Sequence, residues 1–172
     1  MIGNSELILE CCQIKEIVNN CAKEISKKLD SSKKYTVIVL MNGAYKFASD
    51  LLSSVSLEKF DFDIHFIKVS RKENNNEYTL EADFEKLKQI CTNKDVIVLD
   101  EIYDTGTTIL SINDAIKDIV KSLLFVVLLG KSKPPIDNVI IAHYLDTDKW
   151  LFGYGMDYKD NDYRHLNSIY GV

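Results

Sequence analysis

Carboxylates and hydroxyls lie close together in the stretch 96-VIVLDEIYDTGTTI-109. Asp100 and Glu101 directly follow a short apolar run, Asp104 comes three residues later, and residues 105–108 are Thr-Gly-Thr-Thr. A phosphate group binds to closely spaced donors, above all at a helix N-terminus, where backbone N–H groups are unpaired and the helix dipole is positive. The stretch therefore predicts an anion-binding turn between a strand and a helix.

The paired acids Asp100 and Glu101 need another partner, because carboxylates repel phosphate. Ribose hydroxyls, which donate to carboxylates, suit this pair, and so does a hydrated divalent cation, which binds oxygen ligands. A plain alternative is a common strand-to-helix turn with a capping threonine and solvated acids. The apolar run and the Asp-Glu pair in front of the turn favour the functional interpretation.

Apolar runs of strand length alternate along the chain with segments of helical spacing. The spacing predicts strands at 35–40, 62–69, 96–99 and 123–129, edge strands at 139–144 and 150–156, and helices at 5–29, 45–55, 83–91 and 109–121. Near-continuous apolar strands between helices are typical of a parallel sheet covered on both faces, so the predicted fold class is α/β. The long polar stretch 71–83 has no periodicity and predicts a mobile loop.

Composition limits the classes of function. The 172 residues, 46% of them hydrophobic, fit one globular domain spanning residues 1–172. With 21 basic and 26 acidic residues, the chain lacks the broad cationic surface that nucleic-acid binding needs. Its four cysteines form no CxxC pair, which favours reduced thiols. The sequence shows no apolar run of about 18 residues and no signal-peptide pattern, so we expect a cytoplasmic protein without membrane or nucleic-acid partners.

Polar residues follow the carboxyl end of several predicted strands. These are Asn42-Gly43, Ser70, the stretch 100–108 and Lys131. In open α/β sheets, ligands bind just beyond the carboxyl ends of the strands. We therefore expect these residues to converge on one cleft.

The stretch 96–109 resembles the phosphoribosyl-pyrophosphate motif of type I phosphoribosyltransferases, and the chain from about residue 13 onwards resembles their hypoxanthine-guanine branch. The supporting segments, in the family's order, are 39-VLMNGAYKFASDLL-52, 128-LLGKSK-133, 147-TDKWLFGYGMDY-158 and 163-YRHL-166. The resemblance implies a parallel sheet flanked by helices, with a small hood formed by the N- and C-terminal segments. It also implies a single phosphoribosyltransferase domain that assembles into a homo-oligomer, a dimer or a tetramer.

The reaction implied by the resemblance belongs to purine salvage. A 5-phosphoribosyl group passes from phosphoribosyl pyrophosphate to a 6-oxopurine, giving a nucleoside 5'-monophosphate and pyrophosphate. Hypoxanthine and guanine are the expected bases, with xanthine as a third candidate. The bond from ribose C1 to pyrophosphate breaks with oxocarbenium character, and the attacking purine nitrogen needs a group that takes its proton.

The resemblance assigns roles to the residues of the central stretch. Asp104 would be catalytic and exchange a proton with purine N7, although a helix-capping carboxylate is the alternative. Asp100 and Glu101 would bind the ribose hydroxyls. The 5'-phosphate would be bound by Thr105, Gly106, Thr107 and Thr108.

The remaining roles fall outside that stretch. Lys131 would donate to the 6-oxo group of the purine, Ile102 and Trp150 would contact its two faces, and Leu151 would offer backbone groups to its edge. Pyrophosphate would be bound by Asn42, Gly43 and Arg164. Mg2+ would be the cofactor, and its ligands would be Asp157, Asp100 and Glu101.

The chain also departs from the family pattern. Asn42 stands where the pyrophosphate loop usually carries a basic residue, in a loop that often contains a cis peptide, here between Met41 and Asn42. In the mobile loop, Ser70 is retained in register, but Arg71 and Lys72 stand where a Ser-Tyr pair is usual. The order Asp100-Glu101 also reverses the usual order of the two acids. These differences leave open a second function: a weakened homologue that acts as a purine-nucleotide sensor or regulator.

Overall fold

The computed structural model describes residues 4–74, 77–158 and 163–172, with the side chains of residues 71–79 outside that description. Within these ranges, the strands and helices in chain order are β1 (Glu6–Leu9), α1 (Cys11–Lys28), β2 (Lys34–Met41), α2 (Tyr45–Leu52), a 3-10 turn (Val55–Leu57), β3 (Asp61–Asn74), β4 (Glu77–Ala82), α3 (Phe84–Cys91), β5 (Asp95–Tyr103), α4 (Thr107–Ile116), β6 (Ser122–Gly130), β7 (Val139–Tyr144), β8 (Leu151–Phe152) and β9 (Ile169–Gly171). Among the described residues, no helix is long and apolar enough to cross a membrane.

The larger sheet has the strand order β4-β3-β2-β5-β6-β7 over the described ranges. Five of these strands run parallel to one another: β3, β2, β5, β6 and β7. Strand β4 pairs antiparallel with the C-terminal part of β3. Such parallel neighbours need crossover connections, which here contain α2, α3 and α4. The predicted α/β class is confirmed.

The core lies on both faces of this sheet, because successive side chains of a strand point to opposite faces. In β2, Val37 and Val39 share a core cluster with residues of α1 and α2. The intervening Ile38 and Leu40 belong to a second cluster, with residues of α3 and α4. The near-continuous apolar strands predicted from the sequence are therefore buried on both sides, which fixes the sheet rigidly beneath its carboxyl edge.

The predicted hood is confirmed as a small antiparallel sheet with the order β1-β9-β8. The prediction of a helix from residue 5 to residue 29 is wrong at its start, since residues 6–9 form β1 and α1 begins at Cys11. A capping box marks that start, in which the backbone N–H of Glu10 donates to Gln13 Oε1 at 2.8 Å. Pairing with β9, more than 150 residues away, overrides the helical spacing.

The long polar stretch 71–83, predicted as a mobile loop, is mostly strand. Strand β3 continues to Asn74 and pairs with β4 from Val69↔Ala82 to Asn74↔Glu77, so the stretch forms an antiparallel hairpin. Backbone hydrogen bonds hold such a ladder without apolar side chains, which is why the polar sequence gave no sign of it. Helix α4 begins two residues earlier and ends five residues earlier than the predicted 109–121.

Candidate active site

The carboxyl ends of β2, β3, β5 and β6 converge with the hood on a cavity of about 500 Å³. Most of the predicted site residues line it: Asn42, Gly43, Ser70, Asp100, Glu101, Ile102, Asp104, Thr108, Lys131, Trp150, Leu151, Asp157 and Arg164. Thr105, Gly106 and Thr107 form the adjoining turn at the start of α4. The single cleft expected from the strand ends is therefore present.

The turn from β5 into α4 gathers hydroxyls at a helix N-terminus. Gly106 caps the helix with φ +83°, and a Cβ at this position would overlap the Tyr103 hydroxyl, so glycine is required. The Oγ1 atoms of Thr105 and Thr107 lie 3.0 Å apart, and Thr108 is buried beside the cavity. Because the first N–H groups of a helix lack intrahelical partners, this turn offers backbone and hydroxyl donors to an anion.

The acidic pair lies in the last part of β5. Asp100 is buried, and its Oδ1 accepts a hydrogen bond of 3.0 Å from the backbone N–H of Glu101. Burial raises the pKa of the Glu101 carboxyl well above its usual value, the neighbouring Asp100 raises this pKa further, and Arg164 lowers it. Asp100 is buried and Glu101 is partly buried, so the two adjacent carboxyls are destabilised when both are charged. A cation or several hydroxyl donors would stabilise the charged pair.

The Glu101 carboxyl also reaches the turn that follows β2. A Cβ at position 43 would overlap Glu101 Oε1, so Gly43 leaves the space that this carboxyl fills. The peptide between Met41 and Asn42 is cis, in the loop where the resembled family often has such a peptide. The turn after β2 and the carboxyl end of β5 are therefore in contact through Gly43 and Glu101, which both line the cavity.

An acid and a lysine lie side by side at the ends of β5 and β6. Lys131 Nζ is 3.9 Å from Asp104 Oδ1 and donates to the backbone carbonyl of Lys149 at 2.8 Å. The backbone of Asp104 is fixed as well, because Ser132 Oγ donates to its carbonyl at 2.8 Å. The Asp104 side chain remains 42% exposed and opens to the cavity, as a group that exchanges protons with a ligand must.

The hood presents an aromatic ring at the cavity. Trp150 is 60% exposed, yet its orientation is fixed because Nε1 donates to the carbonyl of Asp157 at 2.9 Å. Its backbone pairs with Val172, and the next residue, Leu151, is buried in β8. Ile102 is partly buried in β5 and lines the same cavity. The site therefore contains an exposed indole ring held in place, which suits the stacking of a planar ligand.

Arg164 and Asp157 form an ion pair across the loop that follows β8. Arg164 Nη2 lies 2.8 Å from Asp157 Oδ2, and Nη1 donates to the carbonyl of Gly155 at 2.6 Å. Both side chains line the cavity and are only partly exposed. The two residues are brought together as the sequence motif predicts, despite one residue more between them than is usual in the resembled family.

Sequence reasoning missed the contacts that place this loop. Lys46, in the first turn of α2, donates to His165 O at 2.7 Å, Leu166 O at 2.8 Å and Asn167 Oδ1 at 3.0 Å. Burial lowers the pKa of the Lys46 ammonium, and Asp50 raises it. These partners are about 120 residues away in the sequence, so spacing along the chain could not have revealed them.

Two further contacts hold the loop that carries Arg164 against α2 and the turn after β2. Tyr45 Oη donates to the carbonyl of Arg164 at 3.2 Å. Gly155, with φ +99°, lies so close to the turn after β2 that a Cβ there would overlap the carbonyl oxygen of Gly43. The positive φ and the close approach both require glycine, and together they couple the hood to the Asn42-Gly43 turn.

The remaining predicted residues belong to the hairpin. Ser70 lines the cavity, and its Oγ donates to Glu81 Oε2 at 3.3 Å across the β3–β4 ladder. The backbone of Arg71 continues β3, while its side chain lies outside the described residues. Lys68, which the sequence interpretation did not include, also lines the cavity. Its position at the carboxyl end of a predicted strand could have indicated it.

Carboxylate ligands for a metal occur at two places rather than one. Across the described ranges, no group of three or more His, Cys, Asp or Glu side chains could hold a metal ion. The Asp100–Glu101 pair and Asp157 instead offer separate sets of oxygen ligands to the same cavity. This donor chemistry fits Mg2+, which binds through one or two carboxylates together with substrate oxygens and water.

The chain belongs to the phosphoribosyl transferase domain family, whose match spans residues 6–159, and it is a glycosyltransferase-type enzyme. Within that family it is similar to hypoxanthine-guanine phosphoribosyltransferases. The protein of Staphylococcus aureus (strain Mu50 / ATCC 700699) is 31% identical over 162 residues, 90% of this chain and 88% of the relative. That of Aquifex aeolicus (strain VF5) is 29% identical over 97% of this chain and 94% of the relative.

Solved structures agree with this assignment. A crystal structure of a hypoxanthine-guanine phosphoribosyltransferase from Bacillus anthracis superposes with a TM-score of 0.77 and 27% identity, covering 98% of each chain. The Leishmania tarentolae enzyme solved in complex with GMP shares the fold, with a TM-score of 0.79 at 20% identity. The resemblance stated from the sequence and the predicted fold class are both confirmed.

Proposed function

We propose that this protein transfers the 5-phosphoribosyl group of phosphoribosyl pyrophosphate to a 6-oxopurine, a purine salvage reaction that releases pyrophosphate. Hypoxanthine and guanine are the proposed bases, with xanthine as a third candidate. The observation that carries the proposal is the placement of Asp104 and Lys131, 3.9 Å apart, beside an anion-binding turn. The Asp104 carboxylate can take a proton from a purine nitrogen while the Lys131 ammonium donates a hydrogen bond to the 6-oxo group.

The phosphoribosyl part of both substrate and product would lie on the β5–α4 turn. The donors of residues 105–108 would bind the 5'-phosphate at the helix N-terminus, where charge and unpaired N–H groups favour an anion. Asp100 and Glu101 would accept hydrogen bonds from the ribose hydroxyls. This assignment keeps the carboxylates away from the phosphate, because the turn and the acidic pair are separated along the backbone.

The purine would lie between Trp150 and Ile102, in contact with one face by stacking and with the other by apolar packing. Lys131, whose ammonium is held by the Lys149 carbonyl, would donate to the 6-oxo group. Leu151 would contribute backbone groups at the base edge. Asp104 would accept and return the proton at N7 as the new bond to ribose C1 forms.

Pyrophosphate would bind between the Asn42-Gly43 turn and Arg164, whose planar guanidinium matches phosphate oxygens. Mg2+ would be held by Asp100 and Glu101 through the ribose side and by Asp157 through the pyrophosphate side. When bound, Mg2+ neutralises the charge that develops on the leaving pyrophosphate. Arg164 is already oriented towards this region by Asp157 and the Gly155 carbonyl.

One assay tests the proposal. Purified protein is incubated with Mg2+, phosphoribosyl pyrophosphate and each of hypoxanthine, guanine, xanthine and adenine, and nucleotide formation is followed. We expect turnover with at least one 6-oxopurine and little with adenine. Absence of turnover with every base, alongside measurable nucleotide binding, would overturn the enzymatic proposal.

The role of Lys131 has its own test. Lys131→Ala should lower kcat/KM for a 6-oxopurine about 10- to 100-fold, because a hydrogen bond from a charged donor contributes about 1.5–3 kcal/mol. The residual rate with adenine serves as the control, since adenine has no 6-oxo group. An equal loss for both kinds of base would remove Lys131 from recognition of that oxygen.

The Arg164–Asp157 ion pair also favours a second candidate function. Arg164 is the residue proposed to bind pyrophosphate, and Asp157 is proposed to bind Mg2+. Because the two side chains are paired, the charge of each is neutralised by the other before substrate binds. A protein in which this pair persists would bind a purine nucleotide and turn over slowly, as a sensor or regulator does. The assay above separates the two functions, because a sensor binds nucleotide without forming it.

Three broader expectations remain predictions that accompany the proposed reaction. The whole of residues 1–172 is proposed to act as one phosphoribosyltransferase domain. The protein is proposed to work in the cytoplasm and to assemble as a homo-oligomer, a dimer or a tetramer. Size-exclusion chromatography with light scattering measures the assembly state directly.

A further inference from the structure

Lys68 is a cation in the cavity wall that has no role in the function proposed above. It lies in β3 just before Ser70, it is exposed, and it lines the cavity. In the parallel pairing of β2 and β3, its Cα partner is Met41, the residue that precedes the Asn42-Gly43 turn. Lys68 is therefore next to the proposed pyrophosphate-binding turn, although it comes from a different strand.

The alternation of side chains along β3 gives the direction of Lys68. Ile67 is buried in the core cluster that contains residues of α3 and α4, so Lys68 projects from the opposite face of the sheet. Met41 packs against the other core cluster, on that opposite face, where α1 and α2 lie. Partners in register on parallel strands point to the same face, so the Lys68 side chain lies on the side of the sheet to which the turn leads.

The other cations of the cavity are already engaged. Lys131 donates to the Lys149 carbonyl, and Arg164 is paired with Asp157. Among the described residues, the structure records no hydrogen bond or ion pair of the Lys68 ammonium. Lys68 is thus the cavity-lining cation that can bind an anion without first giving up a protein partner, a lower cost than for an engaged group.

The adjoining turn supplies no charge of its own. Its residues 41–44 are Met-Asn-Gly-Ala, all neutral, so they offer an anion only backbone and amide dipoles. Pyrophosphate carries several negative charges, and the carboxylates of the same cavity repel it unless cations offset them. A lysine ammonium is a compact point charge on a flexible stem, which can follow a phosphate group from the neighbouring strand.

We propose that Lys68 binds the pyrophosphate group of phosphoribosyl pyrophosphate and of the released product, and so supplies from β3 the positive charge that the neutral turn after β2 lacks. The inference rests on the proposed function for the identity of the anion. It adds a substrate-binding residue from β3, the strand that also contains the predicted site residues Ser70 and Arg71.

Substitution of Lys68 by methionine removes the charge and keeps the length of the side chain. We expect Lys68→Met to raise KM for phosphoribosyl pyrophosphate, and KM for pyrophosphate in the reverse reaction, about 10- to 100-fold. KM for the purine should stay within about twofold, because the base binds elsewhere in the cavity. Lys68→Arg should restore most of the affinity, which a purely structural role of the methylene stem would not explain.

Lys34→Met is the matched control, since Lys34 is an exposed lysine of the same sheet at the opposite, amino end of β2. It should change none of these constants. Circular dichroism melting of each variant identifies any general loss of folding. A purine KM that rises in parallel with the pyrophosphate KM would overturn the inference.

Calorimetric titration of pyrophosphate into the protein, in buffer that contains Mg2+, measures pyrophosphate affinity and so tests the inference without any turnover. If the wild type turns over and Lys68→Met binds pyrophosphate equally well, the inference fails and the proposed function stands. If the wild type binds pyrophosphate through Lys68 but forms no nucleotide, the inference stands and the proposed function fails. A wild type that binds no pyrophosphate contradicts the inference directly.

Discussion

The two sides of the cavity are built in different ways. On one side, residues 100–108 follow one another along β5 and its turn, and local contacts hold them, such as the 3.0 Å hydrogen bond from the Glu101 N–H to Asp100. On the other side, Arg164 and Asn42 are brought together by contacts between residues about 120 positions apart, made by Tyr45 and Lys46. Substitutions outside the cavity should therefore disturb the second side far more than the first.

The largest expected effect comes from the locally built side. Asp104→Asn removes the proposed proton acceptor while the backbone stays fixed by Ser132. We expect kcat to fall about 10²- to 10⁴-fold, the usual contribution of general base catalysis, with nucleotide affinity nearly unchanged. Steady-state kinetics and calorimetric binding of nucleoside monophosphate measure the two quantities separately.

Asp114→Asn provides the control for this substitution, because Asp114 is an exposed carboxylate on α4 that pairs with Lys117. Its kcat should match the wild type. An unchanged kcat in Asp104→Asn would exclude an acid-base role and leave a capping role for that carboxylate.

The next largest effect is expected where the hood meets the turn after β2. Gly155→Ala forces a side chain into a positive φ and against the Gly43 carbonyl. The free energy of unfolding should fall by about 1–3 kcal/mol. A displacement of the turn by about 1 Å should lower kcat/KM for phosphoribosyl pyrophosphate about 100-fold. Urea unfolding and steady-state kinetics measure these changes.

Gly171→Ala in β9 is the matched control for the hood. A Cβ there would meet mainly the flexible side chains of Lys149 and Ile8, which can move aside. Its stability and kinetics should remain close to those of the wild type. Similar losses in both variants would mean that the hood tolerates no added methyl group, and the specific coupling to Gly43 would be wrong.

A smaller effect is expected from Lys46→Met, which removes hydrogen bonds to His165, Leu166 and Asn167. The loop that carries Arg164 should become less ordered, so KM for phosphoribosyl pyrophosphate should rise about tenfold while kcat at saturation changes little. Lys46→Arg should recover part of the affinity. Lys27→Met, in the last turn of α1, should behave as the wild type. A fall in kcat with unchanged KM would contradict this positioning role.

The smallest effect concerns stability and its dependence on pH. The folded-state pKa of Glu101 is raised well above 4.5, so the folded protein keeps a proton that the unfolded chain has released. Stability should therefore fall as the pH rises from about 4.5 through that raised pKa. Glu101→Gln carries no titrating proton at this position and should melt about 3 °C higher than the wild type near pH 8.

Thermal melts between about pH 5 and pH 8 test this prediction. Asp114→Asn is the control, because hydrogen bonding to Lys117 lowers the pKa of Asp114 and its titration lies below the tested pH range. The loss of stability in this variant should have the same size at every pH tested. It should be small, since that carboxylate is exposed. The same pH dependence in the wild type and in Glu101→Gln would contradict a raised pKa at Glu101.

The parts of the fold that were predicted correctly are those set by local pattern. The apolar runs of β2, β5 and β6 and the turn at Gly106 are determined by residues close in sequence, so local pattern identified both the sheet and the turn that begins α4. The hood strand β1 and the β3–β4 hairpin were missed, because each is a strand only through pairing with another segment. Local spacing carries no record of such partners.

The same distinction applies to the site. Asp100, Glu101 and Asp104 stand out in the sequence as three acids next to threonines. Lys46 looks like an ordinary surface lysine, and its place becomes visible only when the loop at 163–167 folds back over α2. Lys68 stands at the carboxyl end of a predicted strand, which could have indicated the cavity, but its pairing with Met41 is known only from the register of β2 and β3. The resemblance to a known family supplied the roles of Trp150, Asp157 and Arg164, which the pattern alone did not.

The contact between Glu101 and Gly43 has a consequence for how this site can evolve. While the Glu101 carboxyl occupies the space beside the turn, any side chain at position 43 would collide with it. A side chain at position 43 is accommodated when residue 101 shortens or when the carboxyl end of Glu101 turns away. The two positions are expected to change together among descendants of this protein, although 57 residues separate them.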